Sequence, residues 1–85
     1  MHFHDVIRQG IATALDNETA SEQEAMLASW LEYLMTLPRA GSLPEYEGSY
    51  REPYAALRSG LGSGVAVDQL TRLVIDLSTR LMAST

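Results

Sequence analysis

The sequence predicts an all-α protein: a small bundle of three to four helices over about residues 4–16, 21–37, 52–59 and 65–82, forming one domain across residues 1–85 and expected to be dimeric. Three observations carry this expectation. Apolar residues recur every three or four positions through most of the chain. No stretch alternates apolar and polar residues as a half-buried strand would. Two of the helical segments own more apolar surface than one neighbouring helix covers.

In the first segment, Phe3, Val6, Ile7, Ile11, Ala14 and Leu15 recur at helical spacing opposite Asp5, Arg8, Gln9 and Asp16. Gly10 interrupts it at a cost of about 1 kcal/mol relative to Ala, for which close approach of another backbone is the usual compensation. Asn17, Glu18 and Thr19 end the segment. Ser21, with Glu24 three residues later, supplies a capping box for the second helix, and Glu22 and Glu24 suit the positive end of its dipole.

Residues 25–37 then contain ten apolar side chains and one formal charge, Glu32. On a helical wheel, Tyr33, Met26, Leu37, Trp30, Leu34, Leu27, Leu31 and Met35 cover roughly 200°, whereas a helix lying on one side of a core needs little more than about 100°. Half of that arc wants a second cover, and in a chain this short the expected cover is another chain. Trp30, in the middle of the arc, reads as core. Met26, Met35 and Met82 are flexible fillers that suit adaptable binding surfaces as well as helical cores.

Pro38 stops the second helix by forcing the residue before it out of the helical region, and a Pro/Gly/Tyr loop is expected over residues 38–51. Tyr46, Tyr50, Tyr54, Leu57 and Leu61 fall at spacings of 4, 4, 3 and 4, divided by Pro53, which fits the first turn of a short third helix. Residues 60–64 (GLGSG) form a flexible connector, with Ser63 as N-cap of the final helix. In that helix Val67, Leu70, Val74, Leu77 and Leu81 make a seam at spacings of 3, 4, 3 and 4. Leu73 widens the seam, and Ile75 and Met82 lie beyond it. The second and fourth helices are expected to pack antiparallel, with the first closing one side and the third bracing the tyrosine loop.

Composition narrows the function classes. The formal charge is −5, with eight acids against Arg8 and Arg39 in residues 1–47, and Glu52, Asp68 and Asp76 against Arg51, Arg58, Arg72 and Arg80 in the remainder. That balance opposes non-specific binding to phosphate backbones or anionic lipid. All six basic residues are Arg, which tolerates interface burial and pairs with carboxylates in bidentate fashion. The absence of Cys removes disulfides and thiolate metal sites and fits a reducing cytoplasm. No secretory signal is evident in the opening residues, and the longest apolar run is shorter than the roughly 20 residues of a membrane span.

Chemistry-bearing groups are few. His2 and His4 beside a free amine form a donor set suited to Cu(II) or Ni(II), but no further ligands stand at structural-site spacing, so no metal or cofactor is expected. The same two histidines are the only imidazoles, so any nucleophilic triad would have to recruit its base from the chain's opening residues, expected to be its least ordered part. Gly60, Gly62 and Gly64 before a helix have the composition of a phosphate-cradling loop, yet neither a preceding strand nor a P-loop Lys accompanies them. Residues 52–80 read poorly as a helix-turn-helix because the connector is too long and too Gly-rich.

The sequence therefore predicts a non-enzymatic protein-interaction module, an inhibitor, adaptor or small chaperone, with a second copy or another protein as partner. Its expected contact residues are Met26, Trp30, Leu31, Met35, Tyr46, Tyr50, Tyr54, Ile75 and Met82, which combine leftover apolar surface with tyrosine anchors. A helical carrier of a small apolar ligand is the alternative from a different class, and a DNA-binding regulator ranks below it.

Overall fold

The computed structural model describes residues 2–83, and every regular element among them is helical. Helix α1 spans Phe3–Leu15. Asn17 closes it in the left-handed region at φ 69°, a conformation that Asn tolerates better than most residues. The Leu15 carbonyl, otherwise without an intrahelical donor, accepts from the Glu18 N–H at 3.1 Å and from Gln23 Nε2 at 3.0 Å.

Helix α2 spans Ala20–Thr36, and its cap differs from the one expected. The capping box is formed by Thr19 and Glu22, not by Ser21 and Glu24. The Glu22 N–H donates to Thr19 Oγ1 at 3.1 Å and the Thr19 N–H donates to Glu22 Oε1 at 2.9 Å. The left-handed turn at Asn17 delivers Thr19 in an extended conformation (φ −69°, ψ 161°), so the helix starts before Ser21. Glu24 is released for another task. At the far end Leu37 is extended (ψ 135°), as the residue before Pro38 should be.

The segment expected as a loop is largely helical. A 3₁₀ turn occupies Ala40–Ser42, and from Tyr46 the chain winds through a π-helical turn, Glu47–Arg51, directly into α3, Glu52–Arg58. Pro53 lacks the N–H that would continue an α-helical ladder, and its ring would press on the carbonyl four residues back. The wider turn relieves both constraints, with the Glu52 N–H reaching five residues back to the Glu47 carbonyl. Tyr46, Tyr50 and Tyr54 thus share one face of one continuous helix.

Helix α4 spans Val67–Ala83. Its seam residues Leu70, Val74, Leu77 and Leu81 are buried with Leu27 and Leu31 of α2 and Ile11 and Leu15 of α1. The antiparallel packing expected for α2 and α4 is overturned. Both begin at the same end, where Glu24 meets Ala66 and Ser21 meets Gly62, and both finish where Tyr46 meets Met35 and Glu45 meets Arg80. The helix from Tyr46 to Arg58 accounts for this, because it returns the chain to the starting end before α4 sets out.

The connector is fixed in place rather than loose. The Glu24 carboxylate, with the residue only 1% exposed, accepts from the N–H groups of Gly62 and Ala66, the latter at 3.0 Å. These amides hold its carboxyl below the usual carboxylate range. Glu24, not Ser63, therefore satisfies the start of α4. The Gly-rich segment does present amides to an anion, and that anion belongs to the chain itself. Gly64 (φ +84°) lies so close to α2 that an added Cβ would sit 2.6 Å from Ala20 Cβ. Gly10 is the reverse case: no backbone approaches it, and the space beside it is open.

Candidate protein-binding groove

On α4, residues 69, 72, 73 and 76 lie on the side turned away from the Leu70–Val74–Leu77–Leu81 seam. Gln69, Arg72 and Asp76 on that side are exposed. Two open depressions lie there. One, of about 410 Å³, lies between α3 and α4 and is lined by Pro53, Ala56, Leu57, Gln69, Arg72 and Leu73. The other, of about 350 Å³, lies between α1 and α4 and is lined by His4, Arg8, Arg72, Leu73, Ile75 and Asp76. They share Arg72 and Leu73, so the two adjoin along α4, with α3 walling one and α1 the other; together they are termed the groove.

Local sequence explains the lining. His4 and Arg8 stand four apart on α1, and Pro53, Ala56 and Leu57 occupy i, i+3 and i+4 positions around α3, so each wall presents one helical face. Among the arginines, Arg51 pairs with Glu47 at 3.4 Å, Arg58 with Glu32 at 3.2 Å, and Arg80 with Asp76 at 3.1 Å and also with Glu45. Among the described residues Arg8 and Arg72 have no carboxylate partner, and both are exposed. Asp76 at the same rim is already engaged by the Tyr50 hydroxyl and by Arg80.

The residues expected to bind a partner fall into three groups. Tyr46, Tyr50 and Tyr54 are 3%, 0% and 5% exposed, and Leu31 and Ile75 are 0% and 2% exposed, so these five belong to the interior of a single chain. Met26, Trp30 and Met35 are half-buried against that interior. Met82 is 40% exposed. The wide apolar arc of α2 is thus covered mostly from within, although Tyr33 remains 65% exposed. Only Ile75 of the expected set lines the groove.

The tyrosines serve as ties between helices. Tyr46 donates to the Met35 carbonyl at 3.1 Å, Tyr50 to Asp76 and Tyr54 to Glu32. Burial, reinforced by the Asp76 carboxylate, raises the Tyr50 hydroxyl well above its ordinary value. Burial and Glu32 likewise push Tyr54 up to about 12. Groups so hard to ionise donate hydrogen bonds and do not act as bases near neutral pH. Arg80 and Arg51 lie over the Tyr50 and Tyr46 rings at 5.9 and 5.3 Å, which adds cation–π attraction to the same ties.

Among the described residues no three His, Asp or Glu side chains gather where a metal ion could be held, and no helix is long and apolar enough to cross a membrane. Sequence reasoning passed over Arg8, Arg72, Pro53, Ala56 and Leu57 as site residues. The available signal was Leu73, which widens the apolar seam of α4 beyond what one neighbouring helix covers. Comparison with protein-family models, curated proteins and solved structures finds no match to this chain.

Proposed function

We propose that this protein is a small non-catalytic protein-binding module, an adaptor or inhibitor, whose partner docks in the groove across α4. The observation that carries this reading is the groove itself: two open, adjoining depressions that share Arg72 and Leu73, bounded by α3 and α1. Open apolar grooves between helices suit a partner's side chains better than they suit a small ligand, which needs enclosure over most of its surface. The homodimer expected from the sequence rested on Leu31, Met35, Ile75 and Met82 lying outside the core. The chain buries the first and third of these, which shifts the weight of the proposal from a dimer seam to the groove.

The test compares Ala56→Glu, a charge placed at an exposed position of the groove wall, with Tyr33→Glu, a charge placed on exposed α2 surface. Each variant is used for crosslinking capture in extract from the native host, with circular dichroism confirming helicity. Ala56→Glu is expected to lose the partners that wild type and Tyr33→Glu retain. Equal capture by all three would overturn the reading.

A helical carrier of an apolar acid is the second reading, favoured by Arg72 standing beside Pro53, Ala56, Leu57 and Leu73. Native mass spectrometry of protein from its own host decides for it if a small molecule is retained and Arg72→Glu releases it.

A further inference from the structure

The geometry points to an acidic amphipathic helix of a partner protein as the occupant of this groove, an inference that rests on the protein-binding reading above. In it, apolar side chains of the partner enter the two depressions on either side of Leu73, and its carboxylates meet Arg8 and Arg72.

Charge bookkeeping within the chain supports the assignment. Of the six arginines, Arg51, Arg58 and Arg80 are matched to carboxylates of the chain. Of the three without a carboxylate partner among the described residues, Arg8 and Arg72 line this groove and Arg39 lies outside it. A protein of net charge −5 repels an acidic partner over most of its surface. The groove is the local exception, and that contrast restricts such a partner to one site and one orientation. Asp76 weakens this field without cancelling it, because two arginines stand against one carboxylate in the lining. Guanidinium groups also suit the task, since their planar donors take a carboxylate in bidentate fashion.

The shape favours a helix over an extended strand. No sheet edge exists among the described residues to pair with a strand. The two depressions, divided by the consecutive residues Arg72 and Leu73, match a helix presenting apolar anchors at i and i+3 or i+4, one for each side. Acids flanking those anchors would then reach Arg8 on one wall and Arg72 at the centre.

The test uses two synthetic Leu/Ala-based amphipathic helical peptides, identical except that one carries Glu and the other Lys beside the apolar stripe. Binding is followed by amide chemical shifts and by fluorescence anisotropy. The Glu peptide is expected to shift amides of Arg8, Leu57, Arg72 and Leu73. Arg8→Glu with Arg72→Glu is expected to weaken it by roughly tenfold, whereas Arg39→Glu leaves it unchanged. Added salt should weaken the wild-type complex and spare what remains in the double variant.

Equal binding of the Lys peptide, or equal loss with Arg39→Glu, overturns the acidic partner. If the Lys peptide still shifts groove amides and Leu73→Ser abolishes it, the groove reading survives while this inference fails. If neither peptide perturbs the groove, both fall. Oleate shifting those amides when neither peptide does gives the groove to an apolar acid. Concentration-dependent shifts with a doubled mass and no peptide effect give it to a second copy. Either result overturns the inference.

Discussion

Gly64 and Gly10 have opposite sensitivities to the same substitution. At Gly64 a Cβ meets Ala20 Cβ at 2.6 Å, and the backbone already lies at φ +84°. Gly64→Ala is therefore expected to destabilise by about 1–2 kcal/mol from the left-handed backbone alone, with the contact adding to it, as measured by urea unfolding. Gly10, in open space within α1, should gain about 0.5–1 kcal/mol on Gly10→Ala in the same measurement. The tyrosines give a pH prediction. The Tyr50 and Tyr54 hydroxyls ionise less readily folded than unfolded, Tyr54 at about 12. The unfolded chain thus loses these protons first. Stability contributed by the two groups is complete below the ordinary tyrosine value of about 10 and is lost as pH rises through the folded values. Thermal midpoints should fall across this range, and Tyr50→Phe or Tyr54→Phe should flatten the fall while costing about 1 kcal/mol at neutral pH.

At the scale of single elements, Thr19→Ala is expected to cost about 1 kcal/mol, and Ser21→Ala less, because Thr19 caps α2 while Ser21 makes one exposed bond to the Gly62 carbonyl at 3.2 Å. The two midpoints, measured side by side, locate the cap; a larger loss at Ser21 would move it. Helix existence was legible in the sequence, and the bounds found for α1, α2 and α4 lie within two residues of those expected. The tyrosine helix was half legible. Its spacing of 4, 4, 3 and 4 is a helical signature, but Pro53 hides the continuity, because a widened turn that absorbs a proline leaves no mark in residue type. The inward turn of Glu24 was hidden for a similar reason. A Glu in the first turns of a helix normally favours the dipole, and nothing local says that a glycine connector 38 residues later will bring its amides to it.

For the molecule as a whole, Leu31→Glu and Ile75→Glu are expected to abolish the helical circular dichroism signal rather than merely an association, since both side chains are interior. A carboxylate there costs more than the roughly 2–5 kcal/mol of a large-to-small core change, a sizeable share of the stability of a domain this size. Retained helicity in either variant would contradict the assignment of that residue to the core. The placement of the helices has the other consequence at this scale. With α1, α2 and α3 placed around α4, one side of α4 is left as a groove holding Arg8, Arg72 and Leu73. Residue type alone could not predict this, because Arg8 and Arg72 stand 64 positions apart and look like ordinary solvated charges on the polar faces of two helices.

The sequence by itself determined the helical class, the limits of the long helices and the seam of α4, because apolar periodicity, prolines and turn residues act over a few positions. Tertiary structure alone decided that α2 and α4 run parallel, that the tyrosines face inward and that Glu24 holds the glycine connector. Each of these depends on which distant groups finally meet, and burial rewards whichever arrangement hides the most apolar area while leaving no buried polar group unpaired.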